Sequence, residues 1–132
     1  MKRSILFFLI VLCLRGVNHL GANNQPDFII SEILVQTDRF IHIKLQNKST
    51  ADCPISAELK EKIFLVIYIN NIKRAEYKIK YIDSKLFKPN GVTLFRTNFR
   101  MQKGLNLKVE INLLKVIPES DFSNNVSIKQ LT

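Results

Sequence analysis

Beyond residue 22 the sequence holds one histidine, His42, and one cysteine, Cys53, and these two cannot supply the three or four His/Cys ligands of a zinc site. They do not stand as a close nucleophile and base pair, and the chain has no glycine-rich phosphate loop and no serine nucleophile elbow. The densest group of oxygen ligands is the string "ESDFSNN", where Glu119, Asp121, Asn124 and Asn125 are candidates for a hard cation such as calcium. That string lacks the glycine and the distal bidentate glutamate of a calcium loop, and two carboxylates are few for tight binding. Asp and Asn also bond backbone amides two residues on and tolerate left-handed dihedrals. The string therefore reads first as a structural turn joining a strand that ends near Ile117 to one that starts near Val126. No metal, no cofactor and no enzymatic activity are expected, and His42, on the polar side of its strand, is expected at the surface.

The elements that would position these residues begin after a leader. Lys2 and Arg3 precede an apolar run from Ile5 to Leu14, and a more polar stretch closes on Gly21-Ala22, the plan of a secretory signal peptide. The run is shorter than the roughly 20 residues of a membrane-spanning helix. Residues 1–22 are thus expected to be a cleavable signal peptide and 23–132 a single exported domain. A lipid anchor on Cys13 is disfavoured, because Leu12 stands where a small residue is wanted.

Cleavage would remove Lys2, Arg3 and Arg15, leaving 17 of the 20 basic residues against all 11 acidic ones, a net charge of +6. Between Lys73 and Lys108, ten Lys or Arg face only Glu76 and Asp83. Such a field favours anionic partners, although lysines alternating with apolar residues along strands also make an ordinary solvated face. With only Cys53 left, the mature chain can form no internal disulfide. Its fold must rest on its core, with Cys53 as a small, partly buried apolar residue.

The mature sequence is governed by period two. "LNLKVEINL" places Leu105, Leu107, Val109, Ile111 and Leu113 on one face and Asn106, Lys108, Glu110 and Asn112 on the other. The same alternation sets Ile41, Ile43 and Leu45 against His42, Lys44 and Gln46, and Ala75, Tyr77, Ile79 and Tyr81 against Arg74, Glu76, Lys78 and Lys80. Further strands are predicted at 26–35, 63–69, 92–99 and 125–131, separated by Asn-, Asp- and Gly-bearing turns. Residues 54–62 depart from the pattern: Pro54 at a first helical position and the helix formers after it predict one or two helical turns. Seven short antiparallel strands predict an all-β sandwich, with a small barrel as the rival.

From Pro26 to Leu131 the chain resembles the CARDB family, cell-adhesion-related domains found in bacteria. The resemblance rests on Pro26-Asp27-Phe28 opening an apolar strand, Asn47 after the second strand, Tyr68 before the Asn70-Asn71 turn, Pro89-Asn90-Gly91, Gly104 before the long alternating strand, and the closing Glu119-Ser120-Asp121 with Asn124-Asn125. The sequence departs from that pattern at Asn112, where the family usually has Asp, at Asn71 in place of a turn glycine, and in a longer connection at 48–62. The resemblance implies a seven-stranded immunoglobulin-like sandwich of adhesion-module type, with a bacterial source that would make the glycosylation patterns at Asn47 and Asn125 incidental.

The expected function is binding of a protein partner through a sheet face or a strand edge, in the periplasm, on the cell surface or outside the cell. In the strand "IFLVIYI", Ile63, Leu65, Ile67 and Ile69 are expected inward and Phe64, Val66 and Tyr68 outward, as the partner-binding patch. The alternative is an acidic glycan or anionic membrane surface held by Arg74, Lys78, Lys80 and Lys108. Nucleic acid is not an expected partner, since the leader takes the protein away from it.

Overall fold

The computed structural model describes residues 25–132, so the leader and its cleavage point lie outside the described residues. Seven strands follow in order: β1 Phe28–Val35, β2 Phe40–Asn47, β3 Ile63–Ile69, β4 Ile72–Lys78, β5 Val92–Arg100, β6 Asn106–Ile111 and β7 Val126–Gln130. They form two antiparallel sheets, one ordered β1-β2-β5 and the other β4-β3-β6-β7. Among the described residues no ladder joins the sheets, so the molecule is a sandwich and not a barrel.

Period two builds the interior. Ile41, Ile43 and Leu45 from β2 meet Leu65 and Ile67 from β3 and Leu107, Val109 and Ile111 from β6, all fully buried. Phe28, Phe64 and Phe87 close one end of this core edge to face, with ring centroids 5.4–5.6 Å apart. Such pairs each add about 0.5–1.5 kcal/mol beyond the apolar area that they bury.

Local chemistry sets the ends of the elements. Asn70 and Asn71 take φ of 51° and 68° and join β3 to β4 in a two-residue turn, the left-handed pair that suits strand twist. The period predicted a strand to Tyr81, but β4 stops at Lys78, opposite the first residue of β3, because no partner remains for it. Ile79–Tyr81 turn as a 3-10 helix that keeps Ile79 in the core and leaves Tyr81 63 % exposed. The helix α1, Ala57–Lys60, is one turn capped by Ser56 Oγ, which accepts from the Leu59 amide at 3.2 Å. Pro54 therefore precedes the cap and is not the first helical residue.

Gly91 shows how closely the β4–β5 connection is packed. A Cβ there would sit 1.9 Å from the Lys85 carbonyl oxygen and 2.9 Å from that of Leu86. Gly91→Ala is expected to force the Ser84–Phe87 turn off the start of β5 and cost about 2–3 kcal/mol, seen as a lowered denaturation midpoint with an unchanged slope.

Candidate functional site

The outer face of the β4-β3-β6-β7 sheet follows from its register. β6 turns Leu107, Val109 and Ile111 inward, so Lys108 and Glu110 face out. Glu110 stands between Val66 on β3 and Val126 on β7, and Lys108 stands between Tyr68 and Ile128. Residues so paired have Cβ atoms about 5 Å apart, which makes these two rows one continuous surface.

β7 is therefore inverted relative to an ordinary edge strand. Its apolar residues Val126 and Ile128 are 44 % and 66 % exposed, while Lys129 bonds the Ile33 carbonyl of β1 at 2.7 Å. That lysine closes the seam between β7 and β1.

Three expected placements on this face change: Ile63, expected inward, is half-buried and lines a groove beside Val66 and Tyr68, and Phe64 and Leu113 change as well. Phe64 is fully buried, because a bulge between Ile63 and Leu65 in the β3–β4 ladder lets two successive residues turn inward. It packs on Phe28 and Phe87, so the expected trio of outward residues reduces to Val66, itself largely covered, and the half-exposed Tyr68. Leu113, expected inward, is 51 % exposed: β6 ends at Ile111, Asn112 takes φ of 49°, and the chain swings Leu113 and the 69 % exposed Leu114 outward. A groove of about 190 Å³ results, lined by Ile63, Val66, Tyr68, Leu113 and Leu114 and by the ion-paired Lys73 and Glu76. Sequence reasoning missed Leu113, Leu114, Val126 and Ile128. The adjacent leucines after an asparagine, which break the alternation, were the available signal.

Three of the four expected polyanion-binding cations reach a carboxylate. Lys78 and Lys80 both reach Glu61, each at 3.0 Å. These bonds, Lys80 first, hold the Glu61 carboxyl below the usual carboxylate range. Lys108 pairs with the buried Glu110 at 3.0 Å and lies 4.7 Å over the Tyr68 ring. Arg74 is the extra residue of a bulge in β4 and has no acidic partner among the described residues. The structure thus divides the four expected polyanion-binding residues into one lysine paired with its own carboxylate, two lysines that share Glu61, and one isolated guanidinium.

The string 119–125 is a structural joint. Glu119 is buried; one carboxylate oxygen accepts from the Phe28 amide at 2.7 Å, and the other accepts from Asn112 Nδ2 at 2.6 Å and Asn125 Nδ2 at 2.5 Å. Asp121 accepts from the Ser123 amide and hydroxyl. N–H donors surround the one buried carboxylate, an environment that a cation would not enter. Asn47 and Asn125 are buried too, so neither glycosylation pattern is open to a glycan in the folded chain.

His42 is buried rather than at the surface. Its Nε2 lies 3.2 Å from both carboxylate oxygens of Asp38, which also accepts from Arg96 Nε at 2.9 Å and the Phe40 amide at 2.9 Å. Arg96, then the Phe40 amide and His42, hold the Asp38 carboxyl down at about 2. Its folded value is lower than its unfolded one, so its contribution to stability is present above the ordinary carboxylate range and is lost as pH falls from about 4 to 2. Asp38→Asn is expected to flatten the wild-type loss of stability in that window, measured by urea denaturation at stepped pH. Cys53 is free and half-buried, and burial pushes its thiol up, away from the reactive thiolate.

No family model and no curated relative matches this sequence. Among solved structures, the chain is similar to the CARDB domain of a Pyrococcus furiosus protein, crystallised in complex with di-metal ions: TM-score 0.55, 15 % identity, covering 83 % of this chain and 94 % of that one. The fold is CARDB-like, an immunoglobulin-type sandwich of two antiparallel sheets.

Proposed function

We propose that this protein is an exported binding module of adhesion type that engages a protein partner through the outer face of the β4-β3-β6-β7 sheet. The observation that carries this reading is the inversion of β7. Val126 and Ile128 face solvent on β7, and Tyr68, Leu113 and Leu114 are exposed on the β3 side, with the Lys108–Glu110 pair of β6 between the two apolar groups. Exposed apolar area of this kind, rimmed by charge, is what a protein interface buries. The likeness to a CARDB domain supports an adhesion-related role and fits export, and among the described residues no helix is long and apolar enough to cross a membrane.

A reading in which the basic residues hold an acidic glycan or an anionic membrane surface has weaker support, because Lys108 is paired with Glu110 and Lys78 and Lys80 share Glu61, which together leave one positive charge of three. The test is capture from the envelope fraction by wild type and by a Val66→Ser/Tyr68→Ser variant at low and high salt. A partner held through the face survives high salt and is lost from the folded variant. Capture only at low salt, equal for both proteins, overturns the reading.

Among the described residues no three His, Cys, Asp or Glu are grouped to hold an ion, and Glu119 is already enclosed by N–H donors. Calcium is expected to leave the unfolding temperature unchanged, since a ligand that does not bind the native state adds no stability. A calcium-dependent rise would contradict this.

A further inference from the structure

The smaller sheet has an unused edge. Asn47 donates to the Gly91 carbonyl at 2.8 Å and the Ile41 carbonyl accepts from Thr97 Oγ1 at 2.7 Å, so odd-numbered β2 residues point their backbone groups at β5. With the register Gln46↔Val92, Lys44↔Leu94 and His42↔Arg96, antiparallel alternation aims the N–H and C=O of Val92, Leu94 and Arg96 away from β2, at the open side. None of these groups has a backbone partner among the described residues.

Of the other three edges, β7 is only five residues long, and β1 and β4 are managed. β1 is bulged at Ser31 and capped by Lys129, and β4 is bulged at Arg74 and lined with lysine. β5 runs unbroken from Val92 to Arg96, with Val92 and Leu94 42 % and 46 % exposed on its outer side. On its inner side Phe95 meets Tyr77 of β4 edge to face with ring centroids 4.7 Å apart, yet both rings remain only half-buried. The three-stranded sheet is one strand narrower than its neighbour, and a fourth strand beside β5 would cover this pair.

The charge beside the edge is positive. Arg96 and Arg100 lie 3.9 Å and 5.3 Å from the Phe40 ring, Arg96 gives only its Nε to Asp38, and Arg100 has no acidic partner among the described residues.

We propose that β5 is an acceptor edge for one extended segment of a partner protein. That segment alternates apolar residues with Asp or Glu and adds as a fourth strand against Val92–Arg96. Main-chain bonds supply the affinity, Phe95 and Tyr77 receive the apolar side chains on the inner side, and Arg96 and Arg100 select the acids on the outer side. The proposal shares with the preceding section the premise of a binding module, but it uses the opposite sheet.

The test is selection of random linear peptides on the purified protein, followed by affinity measurement and amide exchange. Leu94→Pro removes an edge N–H that the β2 ladder does not use, a change that edge strands tolerate, and Leu94→Val keeps it. The expected result is a set of alternating apolar and acidic peptides that slow exchange at Val92, Leu94 and Arg96 and bind Leu94→Val. Their affinity for a Leu94→Pro protein of unchanged fold falls roughly tenfold or more, as the loss of one or two hydrogen bonds implies. They also bind Val66→Ser/Tyr68→Ser normally, which separates this edge from the outer face. The proposal is overturned by selected peptides that are basic or unpatterned, by equal affinity for a folded Leu94→Pro, by loss of binding in the Val66/Tyr68 variant, or by a dimer of this chain protecting the same amides.

Discussion

Asn47→Ala is expected to lower the unfolding temperature by about 15–25 °C, one of the two largest losses for a single change in this domain. Asn47 is completely buried and uses its whole amide: Oδ1 accepts from the Asp27 and Ser49 amides, each at 3.1 Å, while Nδ2 donates to the carbonyls of Ala51 at 3.2 Å and Lys88 at 3.1 Å. One side chain thereby ties the start of β1, the end of β2 and the loop before β5. Removing it leaves four backbone groups seeking partners in a site closed to water. At about 1–3 kcal/mol for each unmet group, reduced by relaxation, the cost is about 3–5 kcal/mol. Asn47→Asp should be no better, because a carboxylate would face two carbonyl oxygens. A denaturation midpoint within a degree or two of wild type for either variant would show that the hub is dispensable.

Glu119→Ala should cost a similar amount, and its cost should depend on pH. The carboxylate gathers the Phe28 amide, Asn112 and Asn125 into one buried joint between β1, β6 and the approach to β7. Asn112 is fixed there by a two-way pairing with Ile117, accepting from its amide at 3.1 Å and donating to its carbonyl at 2.7 Å. Burial pushes the Glu119 carboxyl above its ordinary range, against the pull of the three donors. A raised folded value means that the folded chain holds the proton more tightly. Its contribution is therefore fully present in acid and declines as pH rises through the raised value, the reverse of Asp38. Stability of wild type and Glu119→Ala across pH should show a difference that narrows from acid to neutral; one that widens would reverse the assignment.

The fold was legible because period two is a direct record of burial: each of the seven strands overlaps a predicted stretch, although β2, β4 and β5 begin or end one or two residues outside theirs, and the sandwich follows from their number and turns. What was not legible depends on two-body events that one strand cannot report. The β3 bulge that buries Phe64 is a property of its pairing with β4, and the end of β4 at Lys78 reflects the length of β3. The inversion of β7 is set by its register with β6: "VSIKQ" alone cannot say whether Val126 or Lys129 looks inward. Asn112 reads in sequence as a polar-face residue of the long strand, but it lies just past the end of β6 and is fully buried. In the structure its amide donates to Glu119, a role that Asp could not fill without bringing two carboxylates together. The closing string does lie between two strands, but the first of them ends at Ile111 and not near Ile117, and its partners, Phe28 and Asn112, are brought to Glu119 only by the sandwich.

The central claim is that the outer face around Leu113 and Leu114 meets a protein partner, and site-specific photocrosslinking in producing cells tests it most directly. A crosslinking residue at Leu114 should join the protein to one discrete partner, while the same residue at Arg74 or Lys80 should not. Discrete adducts from Arg74 and Lys80 with none from Leu114 would place binding on the basic residues and contradict the account.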